Sequence, residues 1–213
     1  MVTERSGLVL RGLYAITPDE ANTSRLVVRV TSVLTAKPAL LQYRNKSASP
    51  ALQEEQAKVL AELCREVGVP LVINDNASLA LRVGAAGVHL GAEDGALDDA
   101  RLTLGPSAII GVSCYGSVML AEKSARDGAT YVAFGSVFAS PTKPSAVQIT
   151  LSLLEEARRR IRIPICAIGG IERCNAAKLI ALGVDLVAVI SDVFDDPQPA
   201  MAAKQFGSLF LRS

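Results

Sequence analysis

The stretch LVINDNASLALRVGAAGVHLGAED (residues 71–94) contains the structural unit on which this chain is built. Two short apolar runs, 71–74 and 87–90, are bounded by proline or glycine and are typical of buried parallel strands. A segment of helical length separates them. The stretch therefore predicts a strand, a helix and a second strand parallel to the first.

The same unit repeats along the chain. Three helix ends share related text, in which a glycine and a small residue precede a strand: RVGAAGVHL (82–90), RDGATYVAF (126–134) and ALGVDLVAV (181–189). Helical patterns cover 50–67, 117–127 and 172–182. The apolar runs predict eight strands, near 13–16, 40–43, 71–74, 87–90, 109–112, 131–134, 165–168 and 186–190.

Eight strand–helix units in 213 residues predict a single-domain (β/α)₈ TIM barrel over 1–213, with 1–12 as an N-terminal extension. A doubly wound α/β sheet is the alternative. That fold would need no eighth unit, and it usually carries G-x-G-x-x-G after its first strand. Here AITPDE (15–20) occupies that place, which favours the barrel.

Composition excludes several classes of protein. Half of the residues are hydrophobic and the net charge is +1, so the chain is neither disordered nor basic enough to indicate a nucleic-acid partner. No apolar stretch is long enough to span a membrane, and the N-terminus lacks a secretory apolar region. The four cysteines form no C-x-x-C pair, which argues against zinc or a disulfide framework. We expect a reduced, cytoplasmic protein, and self-association stays open.

Two carboxylates follow neighbouring strands, at the rim where a barrel carries its active site. Asp75 follows the third run and Asp94 the fourth. Because adjacent strands lie about 5 Å apart, the two acids would repel each other unless a cation lay between them. Mg²⁺ suits such a site, since it takes one or two carboxylates together with phosphates and water. Helix caps or solvated loop acids are the alternative interpretation.

Cations are predicted at the same rim. Arg44, Lys46 and Lys143 follow the second and sixth runs, and with a metal they indicate a pyrophosphate site. A second anion site is predicted at Gly169–Gly170 and Ile190–Ser191, because loops after strands 7 and 8 often bind phosphate through backbone N–H groups. A glycine pair after a strand also fits a plain turn.

The chain has one histidine, which limits the chemistry. His89 lies within a predicted strand and is interpreted as a structural, hydrogen-bonded residue, and Cys114 and Cys166 as small buried residues. A Ser-His-Asp, Cys-His or H-E-x-x-H arrangement is therefore not expected. Catalysis must come from charge stabilisation and positioning.

These motifs together resemble the thiamine phosphate synthase family. The resemblance runs from Leu13 to about Phe194, and in series the motifs are very specific. They are LYAITPD (13–19), LQYRNK (41–46), VINDNASLALRVGAAGVHLGAED (72–94), IIGVSCY (109–115), YVAFGSVFASPTKP (131–144) and AIGGIERCNAAKLIALGVDLVAVIS (167–191).

The resemblance implies a (β/α)₈ barrel and a Mg²⁺-dependent transferase. Such an enzyme joins a hydroxymethylpyrimidine pyrophosphate to a thiazole phosphate, releasing pyrophosphate and forming thiamine phosphate. The implied partners are these small phosphorylated substrates, with no nucleic acid or membrane.

The resemblance also assigns residues. The implied catalytic residues are Arg44, Lys46, Lys143 and Ser113. The implied contacts to the pyrimidine pyrophosphate are Gln42, Tyr43, Arg44, Asn45, Lys46, Asn74, Ser113 and Lys143. The implied contacts to the thiazole phosphate are Ser140, Pro141, Thr142, Gly170, Ile190 and Ser191. The implied Mg²⁺ ligands are Asp75 and Asp94.

The chain departs from the family pattern in places, and two other functions stay open. Asn45 stands where an acidic residue is common, Ser136 where proline is common, and Ser140 replaces a threonine but keeps the hydroxyl. A thiazole tautomerase of the same superfamily relies on a histidine just after strand five, where this chain reads VSCYGS (112–117). A noncatalytic phosphate-binding barrel would tolerate loss of the two metal-binding carboxylates, and this chain retains both Asp75 and Asp94. The sequence leaves the preferred thiazole form and the order of binding undecided.

Overall fold

Eight parallel strands close into a barrel in chain order, with the helices on its outside. The computed structural model describes residues 10–91, 95–139 and 147–211. The strands are β1 (Gly12–Ile16), β2 (Leu40–Tyr43), β3 (Leu71–Asn74), β4 (Gly87–Leu90), β5 (Ile109–Tyr115), β6 (Tyr131–Phe134), β7 (Ile165–Ile168) and β8 (Leu186–Val189). The helices are α1 (Thr23–Leu34), α2 (Pro50–Val67), α3 (Ala77–Val83), α4 (Leu97–Leu104), α5 (Val118–Arg126), α6 (Leu151–Arg160), α7 (Arg173–Ala181), α8 (Ser191–Phe194) and α9 (Pro199–Phe210).

Pairing of the first strand with the last closes the sheet. Gly12 lies opposite Leu186 and Tyr14 lies opposite Ala188, in a parallel ladder like the other seven. Closure leaves the barrel without a free edge at which another chain could add a strand. The predicted (β/α)₈ barrel is confirmed, and the doubly wound sheet is excluded because the sheet has no ends.

Strand bounds agree with the predicted runs except at three places. β1 begins one residue earlier, at Gly12, and β8 ends one residue earlier, at Val189, where the chain turns into α8. β5 continues three residues beyond the predicted end, to Tyr115. It does so because a shift of register between Ser113 and Tyr115 lets it keep pairing with β6. The consequence is that Ser113 lies inside a strand and not in a loop.

Local capping explains why the helices begin and end where they do. α2 covers the predicted 50–67: the Ser49 side chain accepts a hydrogen bond from the Leu52 N–H, and Pro50 occupies the first helical position. Gly68 ends the helix in a left-handed conformation at φ 72°, which glycine adopts without a steric penalty. Among the described helices, none has the combined length and hydropathy that crossing a bilayer requires.

Alternate strand residues form two separate apolar layers, because side chains along a strand point to opposite faces. One layer fills the barrel, and its buried members include Tyr14, Leu40, Val72, Ile109, Tyr131 and Leu186. The other packs between the sheet and the helices, and its members include Leu13, Leu41, Ile73, Val132, Val187 and Phe206. Strands buried on both faces are expected of an all-parallel sheet.

A glycine on β5 makes room for one of the two large tyrosine side chains of the interior. Gly111 lies in register with His89 on one side and with Tyr131 on the other. A Cβ atom at Gly111 would lie 2.0 Å from Cζ of Tyr131 and 2.3 Å from its hydroxyl oxygen. The absence of a side chain at Gly111 therefore allows the Tyr131 ring to cross the space in front of β5 and reach toward β4.

We predict that Gly111→Ala destabilises the barrel, because the new methyl group displaces Tyr131 from a fully packed interior. Overpacking of this kind costs about 1–3 kcal/mol, which lowers the midpoint of thermal unfolding by roughly 2–12 °C. Gly207→Ala in α9 is the control, since nothing lies within 4 Å of its added Cβ. There, alanine should stabilise the helix by about 0.5–1 kcal/mol. Equal midpoints for the two variants would contradict this account of Gly111.

Candidate active site

A cavity of about 890 Å³ opens at the carboxyl ends of the strands. Interior residues, among them Tyr14, Gln42, His89 and Cys166, line its floor, and residues that follow the strands line its walls. In (β/α)₈ barrels this end of the strands carries the active site. The cavity is therefore the candidate active site of this chain.

The structure brings together nine of the residues implied by the sequence. They line this one cavity: Gln42, Arg44, Lys46, Asn74, Asp75, Ser113, Gly170, Ile190 and Ser191. Five others, Asp94, Ser140, Pro141, Thr142 and Lys143, lie outside the described residues. Tyr43 and Asn45 are described, but their side chains take a different direction.

Tyr43 and Asn45 face the helix layer and not the cavity. The Tyr43 hydroxyl donates to Oε1 of Gln56 on α2 at 2.9 Å, and Tyr43 is 2% exposed. Asn45 Nδ2 donates to the same Gln56 oxygen at 3.0 Å and to the Glu20 carbonyl at 2.7 Å. Their side chains fasten the end of β2 to α2, so any contact of theirs to a substrate is expected to come from the backbone.

Two residues of the β1–α1 loop fix the basic segment that follows β2. The Thr17 hydroxyl donates to the Arg44 carbonyl at 2.9 Å and accepts from the Arg44 N–H at 2.9 Å. Asp19 Oδ1 accepts from Arg44 Nη1 at 3.2 Å and from the Lys46 N–H at 2.9 Å. The backbone between Arg44 and Lys46 is thus held from both sides, with both cationic side chains at the cavity wall.

Asp75 adopts a left-handed backbone conformation directly after β3. Its φ is 61°, and its N–H donates to the His89 carbonyl of β4 at 2.8 Å. This conformation is uncommon outside glycine, asparagine and aspartate. It places the Asp75 carboxylate in the cavity wall, where Oδ2 lies 3.1 Å from Nζ of Lys46. Lys46 is therefore a cationic neighbour of this acid that the sequence order does not reveal.

A chain of hydrogen bonds crosses the floor of the cavity. Nε2 of Gln42 donates to the Tyr14 hydroxyl at 2.6 Å, and the hydroxyls of Tyr14 and Tyr131 lie 2.7 Å apart. The Tyr131 hydroxyl lies 2.9 Å from Nδ1 of His89, and Nε2 of His89 lies 2.9 Å from Oγ of Ser113. His89 is buried and hydrogen-bonded through both ring nitrogens, as the structural interpretation of this residue predicted.

The wall of the cavity that follows β7 and β8 contains glycine turns and the start of a short helix. Gly169 and Gly170 have φ of 103° and 60°, and a Cβ at Gly170 would lie 2.2 Å from the Ala139 carbonyl oxygen. Ile190 and Ser191 begin the short helix α8, whose first N–H groups lack intrahelical acceptors. Close approach of the backbone and free N–H donors are the features of a phosphate site.

Arg173, at the start of α7, is already bound by acids. Its Nη2 lies 3.0 Å from Asp192 Oδ1 and 2.8 Å from Asp196 Oδ2. These hydrogen bonds, that to Asp192 first, raise the pKa of Arg173 above its ordinary value. The backbone N–H of Arg173 also donates to Asp192 Oδ2, at 2.8 Å. Arg173 therefore serves to hold α7 and α8 together beside the glycine turn.

The buried thiols match their predicted role. Cys114 and Cys166 are both fully buried. Burial raises the pKa of the Cys114 thiol to about 12 and raises the pKa of the Cys166 thiol as well. Since the thiolate is the reactive form of cysteine, neither residue is suited to act as a nucleophile.

Sequence reasoning missed three residues that shape the site. Asp19 holds the basic segment, and Tyr14 and Tyr131 link the floor. The available signal for the two tyrosines is their position. Tyr14 and Tyr131 lie on the interior faces of their strands, as the polar residues Gln42 and His89 do. Alternation along a strand reveals which residues face the barrel interior only when one interior residue of that strand is already known.

Comparison with known proteins identifies the family. A family model described as thiamine monophosphate synthase matches residues 13–193. The thiamine-phosphate synthase of Aromatoleum aromaticum is 52% identical over 201 residues, covering 94% of this chain and 97% of the relative. That of an Azoarcus species is also 52% identical, covering 94% and 98%.

A solved structure agrees with the sequence comparison. The thiamine phosphate pyrophosphorylase of Pyrococcus furiosus superposes with a TM-score of 0.85 at 31% identity, covering 96% of this chain and 98% of that one. Family match, relatives and structure all extend over nearly the full barrel. The chain therefore belongs to the thiamine monophosphate synthase family, and it is a transferase whose substrates are small phosphorylated molecules.

Proposed function

We propose that this cavity couples 4-amino-2-methyl-5-(diphosphooxymethyl)pyrimidine to a thiazole ethyl phosphate in a Mg²⁺-dependent reaction. The observation that carries the proposal is the wall formed by Arg44, Lys46 and Asp75, three charged side chains on one side of the cavity. The glycine turn at Gly170 and the start of α8 lie on another side. One cavity can thus accept a pyrophosphate and a separate phosphate.

The pyrimidine pyrophosphate is assigned to the wall after β2 and β3. Arg44 and Lys46 supply positive charge, and Arg44 offers the planar fork that binds phosphate oxygens in pairs. Gln42, Asn74 and Ser113 offer polar groups that suit the pyrimidine ring and its amino group. Tyr43 and Asn45 contribute backbone atoms, and Lys143 of the β6–α6 loop adds a further cation.

The thiazole phosphate is assigned to the wall after β7 and β8. Gly170 admits the phosphate close to the backbone, and Ile190 and Ser191 present N–H groups at the start of α8. Ser140, Pro141 and Thr142 are assigned to the same phosphate on sequence grounds.

Asp75 suits a Mg²⁺ ligand by the chemistry of its surroundings. Among the residues that the structure describes, no group of three or more metal-ligating side chains lies together. Mg²⁺ does not need such a cage, since one or two carboxylates with substrate phosphates and water are its usual ligands. Asp75, with Asp94 as a second carboxylate, would hold the ion. When bound, the ion would neutralise charge on the pyrophosphate.

The residues around the pyrophosphate explain how the reaction proceeds without a histidine base. The aminopyrimidine stabilises a methylene cation, so its bond to the leaving oxygen breaks early and negative charge grows on the pyrophosphate. Arg44, Lys46 and Lys143 meet that charge and stabilise it in a preorganised site. The thiazole nitrogen then attacks as a neutral nucleophile and gives up no proton.

A direct assay tests the proposed function. The purified chain is incubated with the pyrimidine pyrophosphate, either thiazole phosphate form and Mg²⁺, and thiamine phosphate and pyrophosphate are quantified. We expect equimolar products that vanish with a chelator and return with added Mg²⁺. Conversion of the carboxylated thiazole alone, without thiamine phosphate, would support the tautomerase alternative. Binding of both substrates without either product would support the noncatalytic barrel.

We predict that Asp75→Asn lowers kcat/KM by roughly 10²-fold or more, because charge stabilisation by a bound metal is worth several kcal/mol. Asparagine tolerates the left-handed backbone of this position, so the thermal midpoint should stay within a few degrees. Asp127→Asn, which changes an exposed acid paired with Lys123, is the control and should keep full activity. If the activity of Asp75→Asn depended on Mg²⁺ concentration as that of the unmodified chain does, Asp75 would not be a Mg²⁺ ligand.

We predict that Lys46→Met has opposite effects on two ligands. Mn²⁺ serves as the paramagnetic probe of the proposed Mg²⁺ site. Without substrate, Mn²⁺ must displace Lys46 from Asp75, so loss of the lysine should tighten Mn²⁺ binding. The change should be at most about fivefold, because an exposed ion pair is worth at most about 1 kcal/mol. With substrate, loss of the cation should raise KM for the pyrimidine pyrophosphate. Paramagnetic titration measures the first effect and steady-state kinetics the second.

Two matched variants control this prediction. Lys46→Arg keeps the charge and should leave Mn²⁺ affinity near that of the unmodified chain. Lys123→Met removes the lysine of the exposed pair with Asp127. It should change neither the Mn²⁺ affinity nor the KM for the pyrimidine pyrophosphate. Weaker Mn²⁺ binding in Lys46→Met would mean that the lysine does not compete with the metal for Asp75.

A further inference from the structure

The hydrogen-bond chain on the cavity floor has a direction that follows from counting its protons. Five side chains from five strands take part: Gln42, Tyr14, Tyr131, His89 and Ser113. The separations between successive donor and acceptor atoms run from 2.6 to 2.9 Å. The rings are also in contact, since Tyr131 stands edge-on to Tyr14 and lies stacked on His89 at 5.7 Å between centroids in each pair.

Both tyrosine hydroxyls keep their protons. Burial raises the pKa of Tyr14 and of Tyr131 well above the ordinary value, so each side chain is a neutral phenol at neutral pH. Each phenol then has one proton to donate. A buried hydroxyl that donates to nothing costs free energy comparable to a lost hydrogen bond. Each of the two protons therefore needs an acceptor.

The Gln42 amide sets the direction at one end of the chain. Its Nε2 can only donate, so the Tyr14 oxygen accepts that bond. The remaining partner of the Tyr14 hydroxyl among the described residues is Tyr131, so Tyr14 donates its proton to the Tyr131 oxygen. Tyr131, having accepted from Tyr14, donates its own proton to Nδ1 of His89.

The direction of the chain determines the tautomer of the histidine. Because Nδ1 accepts from Tyr131, its lone pair is free of a proton, and the imidazole is neutral with its proton on Nε2. The Nε2–H group then donates to Oγ of Ser113 at 2.9 Å. Ser113, having accepted from His89, has its own hydroxyl proton left to donate, and it lines the cavity.

We propose that His89 is a positioning residue, held as the Nε2–H tautomer by Tyr131, which makes the Ser113 hydroxyl a hydrogen-bond donor toward the pyrimidine pyrophosphate. The assignment rests on the proposed function in one respect, namely that Ser113 contacts this substrate. The ring of His89 does not exchange protons with the substrate. Its role is to fix which atom of Ser113 faces an acceptor.

A serine hydroxyl without such a partner rotates to suit whatever is near it. A hydroxyl whose oxygen is already engaged by an N–H donor presents its proton to the ligand before the ligand arrives. Preorganisation of this kind improves binding because the donor does not need to be ordered on association. Gly111 contributes indirectly, since a side chain at Gly111 would move Tyr131 away from His89.

The tautomer can be measured directly because the chain has a single histidine. In a tag-free chain labelled with ¹⁵N-histidine, the ring yields only two nitrogen resonances, both from His89. We expect Nδ1 at an unprotonated chemical shift and Nε2 at a protonated one, without added substrate. A proton on Nδ1, alone or with one on Nε2, would overturn the proposal. In that case His89 would donate to Tyr131, Tyr131 to Tyr14, and Tyr14 to the oxygen of a Gln42 amide turned the other way.

Tyr131→Phe tests whether Tyr131 holds the tautomer. The substitution keeps the ring and removes only the hydroxyl, so Nδ1 of His89 loses its donor. We expect the Nδ1 resonance to shift and the tautomer population to become mixed. Tyr43→Phe is the matched control, because it removes another buried hydroxyl whose partner is Gln56 on the opposite face of the sheet. It should leave both His89 resonances in place, and a Tyr131→Phe spectrum identical to the control would overturn the role of Tyr131.

A double-mutant cycle tests whether the effect reaches the substrate through Ser113. Tyr131→Phe should weaken binding of the pyrimidine pyrophosphate by about 5–10-fold, the equivalent of one hydrogen bond. In a Ser113→Ala background the same change should have little further effect, since the hydroxyl that it orients is absent. Additive losses would show a merely structural role and overturn the proposal.

The two proposals can fail separately. The nitrogen spectrum of the unmodified chain requires no substrate and no turnover. An unmodified chain that forms no thiamine phosphate but shows the Nε2–H tautomer would contradict the proposed function alone. A chain that forms thiamine phosphate but carries the proton on Nδ1 would contradict the positioning role alone.

Discussion

The hydrogen bond between the hydroxyls of Tyr14 and Tyr131 is the contact around which the interior is organised. A barrel of eight strands encloses only enough space for side chains, so a polar group placed there has to be satisfied by another polar group from the wall. β1 and β6 are not neighbours, and their two tyrosines meet across the interior at 2.7 Å. Among the described residues, no buried side-chain nitrogen or oxygen lacks a partner. The buried polar groups of the cavity floor are thus all hydrogen-bonded.

Charged residues at the rim follow a different principle from the neutral polar groups of the floor. Arg44 pairs with Asp19 and Lys46 with Asp75, at 3.2 and 3.1 Å, in positions that water reaches. Exposed pairs contribute at most about 1 kcal/mol each. An anionic substrate can therefore replace a carboxylate as the partner of either cation at small cost. Under the proposed function, the acids would hold the cations in place before a ligand binds and release them to a ligand of higher charge.

The sequence predicted the fold well because the barrel repeats one local unit. Apolar runs, glycine ends and caps recur with each strand, and each is a short-range signal. The position of a side chain at the cavity was predictable where the residue directly follows a strand, as Arg44, Lys46 and Asp75 do. For Asp94 and the segment 140–143 even the position stays a prediction, since they lie outside the described residues, and the roles of all the site residues stay predictions.

Contacts between distant residues could not be predicted in the same way. The Lys46–Asp75 pair depends on how two loops approach each other, and so does the hold of Asp19 on the basic segment. Tyr43 and Asn45 were expected at the substrate because they lie in the motif, yet their side chains face α2. In strands buried on both faces, the pattern of apolar residues does not indicate which face lines the interior.

The placement of the tyrosines gives this protein an optical property. The chain has four tyrosines and no tryptophan, so tyrosine dominates its ultraviolet emission. Tyr14 and Tyr115 line the cavity, and Tyr131 is hydrogen-bonded to Tyr14. Three of the four fluorophores therefore lie at or next to the place where a ligand would settle. The unlabelled protein carries its own spectroscopic reporter of occupancy, with Tyr43 as the one tyrosine whose hydroxyl faces the helix layer.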